Sequence, residues 1–305
     1  MHVAVVGAGA LGRIYGVRLA SVAKVDVAFV VRGGTSRGAM AIERVGAEAL
    51  RLESPSYVAA VPPHADAVLL CVRAEQIDDA LLGGLVEGPK VPVVVMTPLL
   101  PKKRAHLAAA LGGRAFSAMT NAWGYANAAG VIRYWIAKTA KLLVDEPRPA
   151  DPALDALLGA FCVAGFDSAF QLGVHELSAA TSVAIVPLFL AIDAAGSIDA
   201  LAGDKKLLKL AFDAISEGRA LAERYGALPG WVRMLDRFGG PVAAKVGLAL
   251  GRKRSPEMVS FVDEHFGRKI HAQNVAMGRE LLELAAEKKM NAAALRLLVD
   301  RVSGQ

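Results

Sequence analysis

The sequence predicts a mixed α/β fold in which an open, doubly wound sheet is followed by an all-helical C-terminal domain. The chain begins with a short apolar strand, His2 to Val6, that runs directly into a glycine-rich turn. Strand-like apolar runs then alternate with helical stretches up to about residue 170, which is typical of a mostly parallel sheet. After Gly173 the pattern changes to helix upon helix. We therefore expect a Rossmann-type domain over residues 1–170 and a helical domain over residues 171–305.

The first strand and its turn are typical of a dinucleotide-binding site. The turn reads Gly7-Ala8-Gly9-Ala10-Leu11-Gly12, a G-x-G-x-x-G spacing between a strand and an amphipathic helix. The first glycine allows the tight turn, the second lets a pyrophosphate approach the backbone, and the third lets the helix pack closely on the strand. The free N–H groups of the helix then face the phosphates. The residues expected to bind the cofactor here are Gly7, Gly9, Ala10, Leu11 and Gly12.

The residue after the second strand indicates which cofactor is bound. That strand, Val27 to Val31, ends about twenty residues after the turn, where NAD sites carry Asp or Glu. Here the position is Arg32, and a short loop leads on to Arg37. A guanidinium suits the 2′-phosphate of NADP, so the sequence favours NADP(H) over NAD(H). Arg37 has the alternative interpretation of a solvated loop charge.

The remaining strands of the sheet are predicted from apolar runs bounded by turn residues. These runs are Ala67 to Val72, Val91 to Met96 and Arg114 to Thr120, with helices beginning at Glu75 and Lys102. Two more runs, Gly130 to Ile136 and Lys141 to Asp145, are predicted to add a hairpin-type pair to the same sheet. In the second domain the clearest helices are Lys205 to Tyr225 and Ile270 to Lys288.

Composition limits the classes of partner. With 305 residues and 54% hydrophobic content, the chain is long enough for two domains with ordinary cores. Its formal charge is +6 and its pI about 9.4, but lysines and arginines are spread along the chain without an aromatic-interleaved basic tract. Nucleic-acid binding is therefore not expected. The positive field instead favours an anionic cofactor and a small anionic substrate.

Cysteine usage and the apolar runs predict a cytoplasmic protein. Cys71 and Cys162 lie inside apolar runs, which predicts buried free thiols of a reducing compartment and no metal site. No secretory leader is expected before the first strand. The longest uncharged run, Leu177 to Ile192, is interrupted by Pro187 and is short for a bilayer span. We expect it to be a buried core helix, and we expect no membrane segment.

The layout as a whole resembles the ketopantoate reductase (2-dehydropantoate 2-reductase) family. Beside the glycine turn and Arg32, the resemblance is carried by Leu70 to Gln76, by Gly130-Val-Ile-Arg, and by Glu217 through Gly226. It implies an NADPH-dependent enzyme that reduces a 2-keto acid to a 2-hydroxy acid, with the cleft between the domains as the active site. It leaves a homodimer open, with the helical domain for substrate and dimerisation, because the sequence itself does not fix the oligomeric state.

The resemblance also implies a catalytic lysine and two asparagines at four-residue spacing on the first long helix of the second domain. Aligned on Pro187, those places hold Ser178, Ser182 and Val186. Without the lysine, ketopantoate is expected to be a poor substrate. His175, within one turn of Ser178, could serve as general acid and base. We take His175 and Ser178 as catalytic candidates and Ser182 as substrate-binding. The alternatives are a solvated histidine at a helix start and small residues in a packed helix.

Other family positions are also altered. The substrate-contacting Thr-Glu aligns with Arg268-Lys269, while Asn274 is retained nearby. The lysine after the fourth strand is Arg73, and a Gln-Asn-Gly becomes Met96-Thr97-Pro98. We expect Arg73, Lys269 and Asn274 to bind an anionic substrate, and Arg73 and Thr97 to contact the cofactor as well. The alternative for Lys269 is a solvated charge at a helix N-terminus.

Three functions stay open at this point. The first is an NADP(H)-dependent reductase of a small carbonyl acid with an altered substrate and altered catalytic residues. The second is a non-catalytic NADP(H)-binding sensor or regulatory protein, which the missing lysine permits. The third is a histidine-using dehydrogenase of opine or related type. An ionisable group facing the nicotinamide C4 would favour an enzyme over a binding protein.

Overall fold

The chain divides into two compact units in a computed structural model. The structure describes residues 1–33, 38–136, 140–228 and 270–304, with single residues between 229 and 269, namely Gly230, Lys253, Val259, Phe261, Val262 and Phe266. The first unit, called the α/β unit, comprises Met1–Pro98 and Lys103–Ser178. The second, called the helical unit, comprises Leu99–Lys102 and Ala179–Gln305. The predicted fold class is confirmed, because a region of parallel strands and helices precedes a helical region.

The strands and helices are numbered over the described residues. The strands are β1 (His2–Val6), β2 (Asp26–Val30), β3 (Met40–Arg44), β4 (Ala49–Leu52), β5 (Ser56–Val58), β6 (Ala67–Leu70), β7 (Val93–Val95), β8 (Ala115–Met119), β9 (Ala122–Ala126), β10 (Ile132–Ile136), β11 (Leu142–Asp145) and β12 (Ser168–Gln171). The helices are α1 (Ala10–Ser21), α2 (Asp79–Glu87), α3 (Pro101–Leu111), α4 (Pro152–Val163), α5 (Val174–Ala195), α6 (Ile198–Gly203), α7 (Lys205–Ala222), α8 (His271–Glu287) and α9 (Ala293–Ser303).

The main sheet of the α/β unit has eight strands among the described residues, in the order β12-β11-β8-β7-β6-β1-β2-β5. The six strands from β8 to β5 are parallel, while β11 is antiparallel to β8 and parallel to β12. Strand β1 lies between β6 and β2, so the chain leaves it near the middle of the carboxyl edge. This is the crevice where open α/β sheets bind ligands.

The predicted hairpin of the runs 130–136 and 141–145 is wrong. Strand β10 pairs with β9 and with β3 in a separate four-stranded sheet, order β4-β3-β10-β9, while β11 joins the main sheet. The turn between β9 and β10 explains this pairing. The Asn127 side chain accepts from the N–H groups of Ala129 and Val131, both at 3.0 Å, and Gly130 adopts a φ of +77°. This local turn chemistry selects β9 as the hairpin partner of β10.

Helix boundaries in the α/β unit follow from caps and close packing. The helix predicted from Glu75 is a 3₁₀ turn over Ala74–Gln76, and α2 begins only at Asp79. The Asp78 carboxylate accepts from the Leu81 N–H at 2.9 Å and so fixes the start of α2. Helix α1 packs closely on the sheet at Gly16, where an added Cβ would lie 2.6 Å from the Phe29 ring.

The helical unit is built around α5, α7, α8 and α9, whose inward faces share one apolar core. Helix α5 contains Pro187, which packs on Gly218 of α7, where an added Cβ would lie 2.6 Å from the proline Cγ. Glu217 caps α9, since its carboxylate accepts from the N–H groups of Ala294 at 3.1 Å and Leu295 at 2.8 Å. The helices are thus tied together by both packing and a carboxylate cap.

A short segment from the first half of the chain completes the helical unit. Leu100 is buried in the core of that unit. The Lys102 Nζ lies 2.8 Å from the carboxylates of both Glu283 and Glu287 on α8. These hydrogen bonds raise the pKa of Lys102. The helical unit therefore includes four residues, Leu99 to Lys102, that are encoded within the α/β half of the chain.

The prediction that both cysteines are buried is wrong for Cys162. Cys71 is buried, and burial raises the pKa of its thiol, but Cys162 is exposed on α4.

Among the described residues, α5 is long and apolar enough to cross a membrane by length and composition alone. However, 61% of its apolar window is buried inside the fold, as expected for a core helix.

Candidate active site

The glycine turn after β1 has the close contacts that its spacing predicts. Gly7 adopts a φ of +98°, and an added Cβ there would lie 2.8 Å from Val72 Cγ1. At Gly12 an added Cβ would lie 1.9 Å from the carbonyl oxygen of Gly7. Both positions therefore require glycine, because a side chain at Gly7 would collide with Val72 and one at Gly12 would collide with the turn itself.

Gly9 differs from Gly7 and Gly12 because an added Cβ there would be free of contacts with the described residues. No heavy atom of the described chain lies within 4 Å of an added Cβ at this position. Gly9 is also the N-cap of α1; no side chain in the described part of the chain caps this helix, and its first turn contains no acidic residue. Such a helix start offers N–H groups and a positive dipole end to an anion. The residues present therefore fit a pyrophosphate.

The Arg13 side chain, which the sequence did not single out, contacts the glycine turn. Its Nε donates to the carbonyl oxygen of Ala8, and its Nη1 donates to that of Gly130, both at 3.0 Å. Arg13 therefore ties the glycine turn to the β9–β10 hairpin within the α/β unit. The only local signal was an arginine in the first turn of the helix, which is also typical of a solvated charge.

Arg32 follows β2 with one residue between them, and its side chain is 81% exposed. Its Nη2 lies 3.3 Å from Oδ2 of Asp78, the residue that caps α2. Arg37 lies outside the described residues. The Arg32 guanidinium is thus exposed to solvent and has the Asp78 carboxylate beside it.

Arg73 and Thr97 follow the neighbouring strands β6 and β7. The Thr97 hydroxyl donates to the carbonyl oxygen of Val72 and is buried, so it joins the two strand ends. The Arg73 guanidinium is exposed and lies 3.7 Å from the Glu75 carboxylate, while the backbone N–H of Arg73 donates to Gln76 Oε1 at 3.0 Å. Arg73 is therefore accessible to a ligand at this edge, whereas Thr97 acts on the backbone.

His175 forms a pair with Asp145 that the sequence did not reveal. Oδ1 of Asp145 accepts from the His175 backbone N–H and also lies 3.1 Å from its Nδ1. The Asp145 side chain is only 12% exposed. Because Nδ1 faces the carboxylate, Nε2 is the ring nitrogen left to act on a substrate, with the Glu176 carboxylate 3.9 Å away.

Arg104 on α3 faces the same carboxylates. Its Nε donates to the Ser117 hydroxyl at 3.3 Å. Burial lowers the pKa of Arg104, and the charges of Asp145 and Glu176 oppose that shift. A partly buried guanidinium therefore balances the negative charge beside His175.

Sheet register places the His175–Asp145 pair at the same edge as the glycine turn. Val6, Leu70, Val95 and Ser117 pair in turn across β1, β6, β7 and β8. The Ser117 N–H donates to Oδ2 of Asp145 at 3.0 Å. Because strands lie about 4.8 Å apart, Asp145 is roughly 10 Å along the sheet from β7 and roughly 20 Å from β1. The glycine turn and His175 thus share one edge of the α/β unit.

The other predicted contacts are distributed over the two units. Ser178 and Ser182 lie one turn apart on α5, with the unit boundary between them, and both already have partners. Asn274 is 1% exposed, and its Nδ2 donates to Asp193 Oδ2 at 3.1 Å. Lys269 lies outside the described residues. Ser178 therefore lies in the α/β unit with His175, whereas Ser182 and Asn274 lie in the helical unit, where Asn274 binds Asp193.

Comparisons with known proteins agree with this architecture. Residues 3–86 match the family model of ketopantoate reductase PanE/ApbA. The 2-dehydropantoate 2-reductase of Geobacter metallireducens aligns at 18% identity and a TM-score of 0.71, over 100% of this chain and 99% of that chain. The dimeric ketopantoate reductase of Staphylococcus aureus aligns at 12% identity and a TM-score of 0.65, over 100% and 98%.

A D-mandelate dehydrogenase in complex with NADH and anilino(oxo)acetate has the same fold. It aligns at 11% identity and a TM-score of 0.68, over 100% of this chain and 97% of that chain. At these identities the likeness shows the fold. No curated protein matches the chain. The predicted resemblance to the ketopantoate reductase family is confirmed by the family match and the shared fold.

Proposed function

We propose that this chain, which resembles ketopantoate reductases in its family match and its fold, is an NADP(H)-dependent oxidoreductase that reduces a small anionic 2-keto acid. The observation that carries the proposal is the glycine turn. Gly7 and Gly12 are held in close contact, while among the described residues nothing lies near an added Cβ at Gly9 and no side chain caps the start of α1. That combination is suited to the pyrophosphate of a dinucleotide.

The cofactor would be held at three places in the α/β unit. The N–H groups at the start of α1 would bind the pyrophosphate, and Arg32 would bind the 2′-phosphate. Arg73, exposed after β6, would lie toward the reactive end of the cofactor. When bound, the nicotinamide supplies the hydride for the carbonyl carbon.

His175 would supply the proton. Asp145 accepts from both the backbone N–H and Nδ1 of this residue, which fixes the orientation of the ring. The protonated Nε2 would then donate to the carbonyl oxygen as the hydride arrives, which leaves a hydroxyl group and a neutral imidazole. Ser178, one turn further along α5, would contact the substrate through its hydroxyl. Positive charge from Arg73 and Lys269 would favour a carboxylate on the substrate.

Cofactor titration tests the first half of the proposal. We expect wild type to bind NADPH more tightly than NADH. Arg32→Ala removes a charge-assisted contact of about 1.5–3 kcal/mol, so NADPH affinity should fall about ten- to a hundredfold. The matched control is Arg51→Ala, another exposed arginine paired with a carboxylate, which should change neither affinity. Equal affinities of wild type for the two cofactors would overturn the assignment to NADP(H).

A screen of 2-keto acids with NADPH tests the second half. We expect slow turnover of ketopantoate, because Ser178 stands where the resemblance implies a lysine. On the best substrate, His175→Gln should lower kcat by about 10²- to 10⁴-fold without changing NADPH affinity. His106→Gln is the control, since that histidine also lies beside a carboxylate, Asp79, in the α/β unit. NADPH binding without turnover of any 2-keto acid would favour the non-catalytic binding protein instead.

We also propose a cytoplasmic homodimer without nucleic-acid or membrane partners. The dimeric state of the Staphylococcus aureus relative supports the first part. The scattered basic residues and the largely buried face of α5 support the second. Light scattering of the purified protein tests the oligomeric state, and a monomer at micromolar concentration would contradict it.

A further inference from the structure

Asp78, which caps α2, also faces Arg32, the arginine predicted to bind the ribose 2′-phosphate. Asp78 uses one carboxylate oxygen, Oδ1, to accept from the Leu81 N–H at 2.9 Å. Its other oxygen, Oδ2, lies 3.3 Å from Arg32 Nη2. The hydrogen bond from the Leu81 N–H to Oδ1 fixes the orientation of the Asp78 carboxylate. Oδ2 is therefore held beside the Arg32 guanidinium.

Sheet order explains why these two residues meet. Strands β6 and β2 flank β1, and Arg32 follows β2 while Asp78 follows β6 after the 3₁₀ turn. Both residues therefore lie at the carboxyl edge beside the glycine turn. Dinucleotide sites usually read the ribose with one sign of charge, an acid for a 2′-hydroxyl or an arginine for a 2′-phosphate. Here both signs are present within 3.3 Å.

We infer that Asp78 is a specificity-determining residue that reduces the preference of this site for NADPH, an inference that rests on the proposed function. With NADPH, its negative charge opposes the 2′-phosphate that Arg32 attracts. With NADH, its carboxylate accepts a hydrogen bond from the 2′-hydroxyl. The Arg32–Asp78 pair therefore lets the site bind both cofactors. The affinities for NADPH and NADH differ less than they would with Arg32 alone.

The expected effect is several-fold because the pair is exposed. The side chains of Arg32 and Asp78 are 81% and 49% exposed, so water and salt screen the interaction. Screening by salt also distinguishes an electrostatic effect of Asp78 from a structural one. The contribution of Asp78 to NADPH affinity should shrink as salt is raised, whereas a purely structural effect of the cap on α2 would not.

The experiment measures dissociation constants for NADPH and NADH with the full-length chain at low and high KCl. Asp78→Asn retains an oxygen that can cap α2 and removes the charge. We expect NADPH to bind roughly three- to tenfold more tightly and NADH roughly two- to fivefold more weakly. Asp78→Ser, which also caps helices, should give the same direction if the asparagine variant folds poorly. The matched control is Asp79→Asn, the adjacent carboxylate, which lies beside His106 and should change neither constant.

A double substitution sharpens the test. In Arg32→Ala, Asp78 stays without its cationic partner and NADH should become the preferred cofactor. Adding Asp78→Asn to that variant should remove the preference. If wild type binds neither cofactor, the proposed function falls and this inference with it. If wild type binds both and their affinity ratio is unchanged in Asp78→Asn, or changes equally in Asp79→Asn, this inference alone is overturned.

Discussion

Helices α1 and α5 begin at the same edge of the α/β unit but start in different ways. Helix α1 follows Gly9, is capped by no side chain among the residues that the structure describes, and carries no acid in its first turn. Helix α5 begins against Asp145, whose carboxylate accepts from the His175 N–H at 3.1 Å. Helix N-termini attract negative charge because their first N–H groups lack partners within the helix.

The difference indicates which helix start is available to a ligand. At α5 the protein already supplies the anion, and the same oxygen orients the imidazole that we propose as proton donor. At α1 no side-chain carboxylate of the first turn competes with an incoming phosphate. One start therefore suits a cofactor and the other suits a positioned catalytic group.

Substitution of Gly12 should give the largest effect. In Gly12→Ala the new Cβ would lie 1.9 Å from the Gly7 carbonyl oxygen, so the turn and α1 must separate. We expect a loss of about 3 kcal/mol in the free energy of unfolding, measured by urea denaturation. Gly83→Ala on α2, where no described atom lies within 4 Å, is the control and should be neutral or stabilising. A stable Gly12→Ala protein would show that the turn is not tightly packed.

Substitution of Gly9 should separate binding from folding. In Gly9→Ala the backbone φ of −76° accepts alanine and the Cβ meets no described atom within 4 Å. We expect the free energy of unfolding to change by less than about 0.5 kcal/mol. NADPH affinity should nevertheless fall at least tenfold, a loss of about 1.4 kcal/mol, because the methyl group occupies the space needed by the pyrophosphate. Unchanged NADPH affinity would remove α1 as the cofactor helix.

Substitution of Asp145 should weaken the second helix start. Asp145→Ala leaves the N–H groups of Ser117 and His175 without this acceptor, at a cost of about 1.5–3 kcal/mol in the free energy of unfolding. Asp145→Asn keeps an acceptor oxygen and should lose less. If Asp145 also positions the histidine, the asparagine variant should lower kcat on the best keto acid and leave NADPH affinity unchanged. Equal unfolding of the two variants would contradict the capping role.

The smallest effect concerns the charge of a cap in the helical unit. The Leu207 N–H donates to Asp204 and lowers the pKa of that carboxyl below its ordinary value of 3.8. Because the folded-state pKa is the lower one, the charge stabilises the fold above about pH 3.8 and this contribution is lost as the pH falls through the folded-state pKa. Asp204→Asn should therefore be slightly less stable than wild type at pH 7, and this difference should disappear as the pH falls through the folded-state pKa of Asp204.

Urea denaturation at several pH values checks this difference. Asp167→Asn, a surface aspartate in the α/β unit, is the control for an unspecific change of net charge. A stability difference between Asp204→Asn and wild type that stays constant from pH 7 to pH 2 would show that the carboxylate charge adds nothing to the cap.

Local chemistry explains what the sequence could predict. The glycine turn was predictable because a tight turn between a strand and a helix requires glycines at fixed spacing. The helical region was predictable from its 3.6-residue periodicity. The small sheet was missed because Ile42 pairs with Ile132, far along the chain, and no local pattern specifies such pairing.

The candidate site shows the same limit. His175 was singled out from the sequence, but its partner Asp145 lies thirty residues away and looked like the last residue of a strand. Asp78 fell within the helix predicted from Glu75, and nothing near it in sequence indicated Arg32. The chain distance between partners, rather than their chemistry, decided which interactions were missed.

The four residues from Leu99 to Lys102 have a consequence for dividing the protein into fragments. A fragment that starts at residue 179 would lack Leu100, a buried member of the helical core, and the lysine that joins Glu283 and Glu287. A single cut after residue 178 therefore leaves an incomplete second half. The two units are separate as packed bodies but are not exchangeable modules, because part of one is encoded within the other.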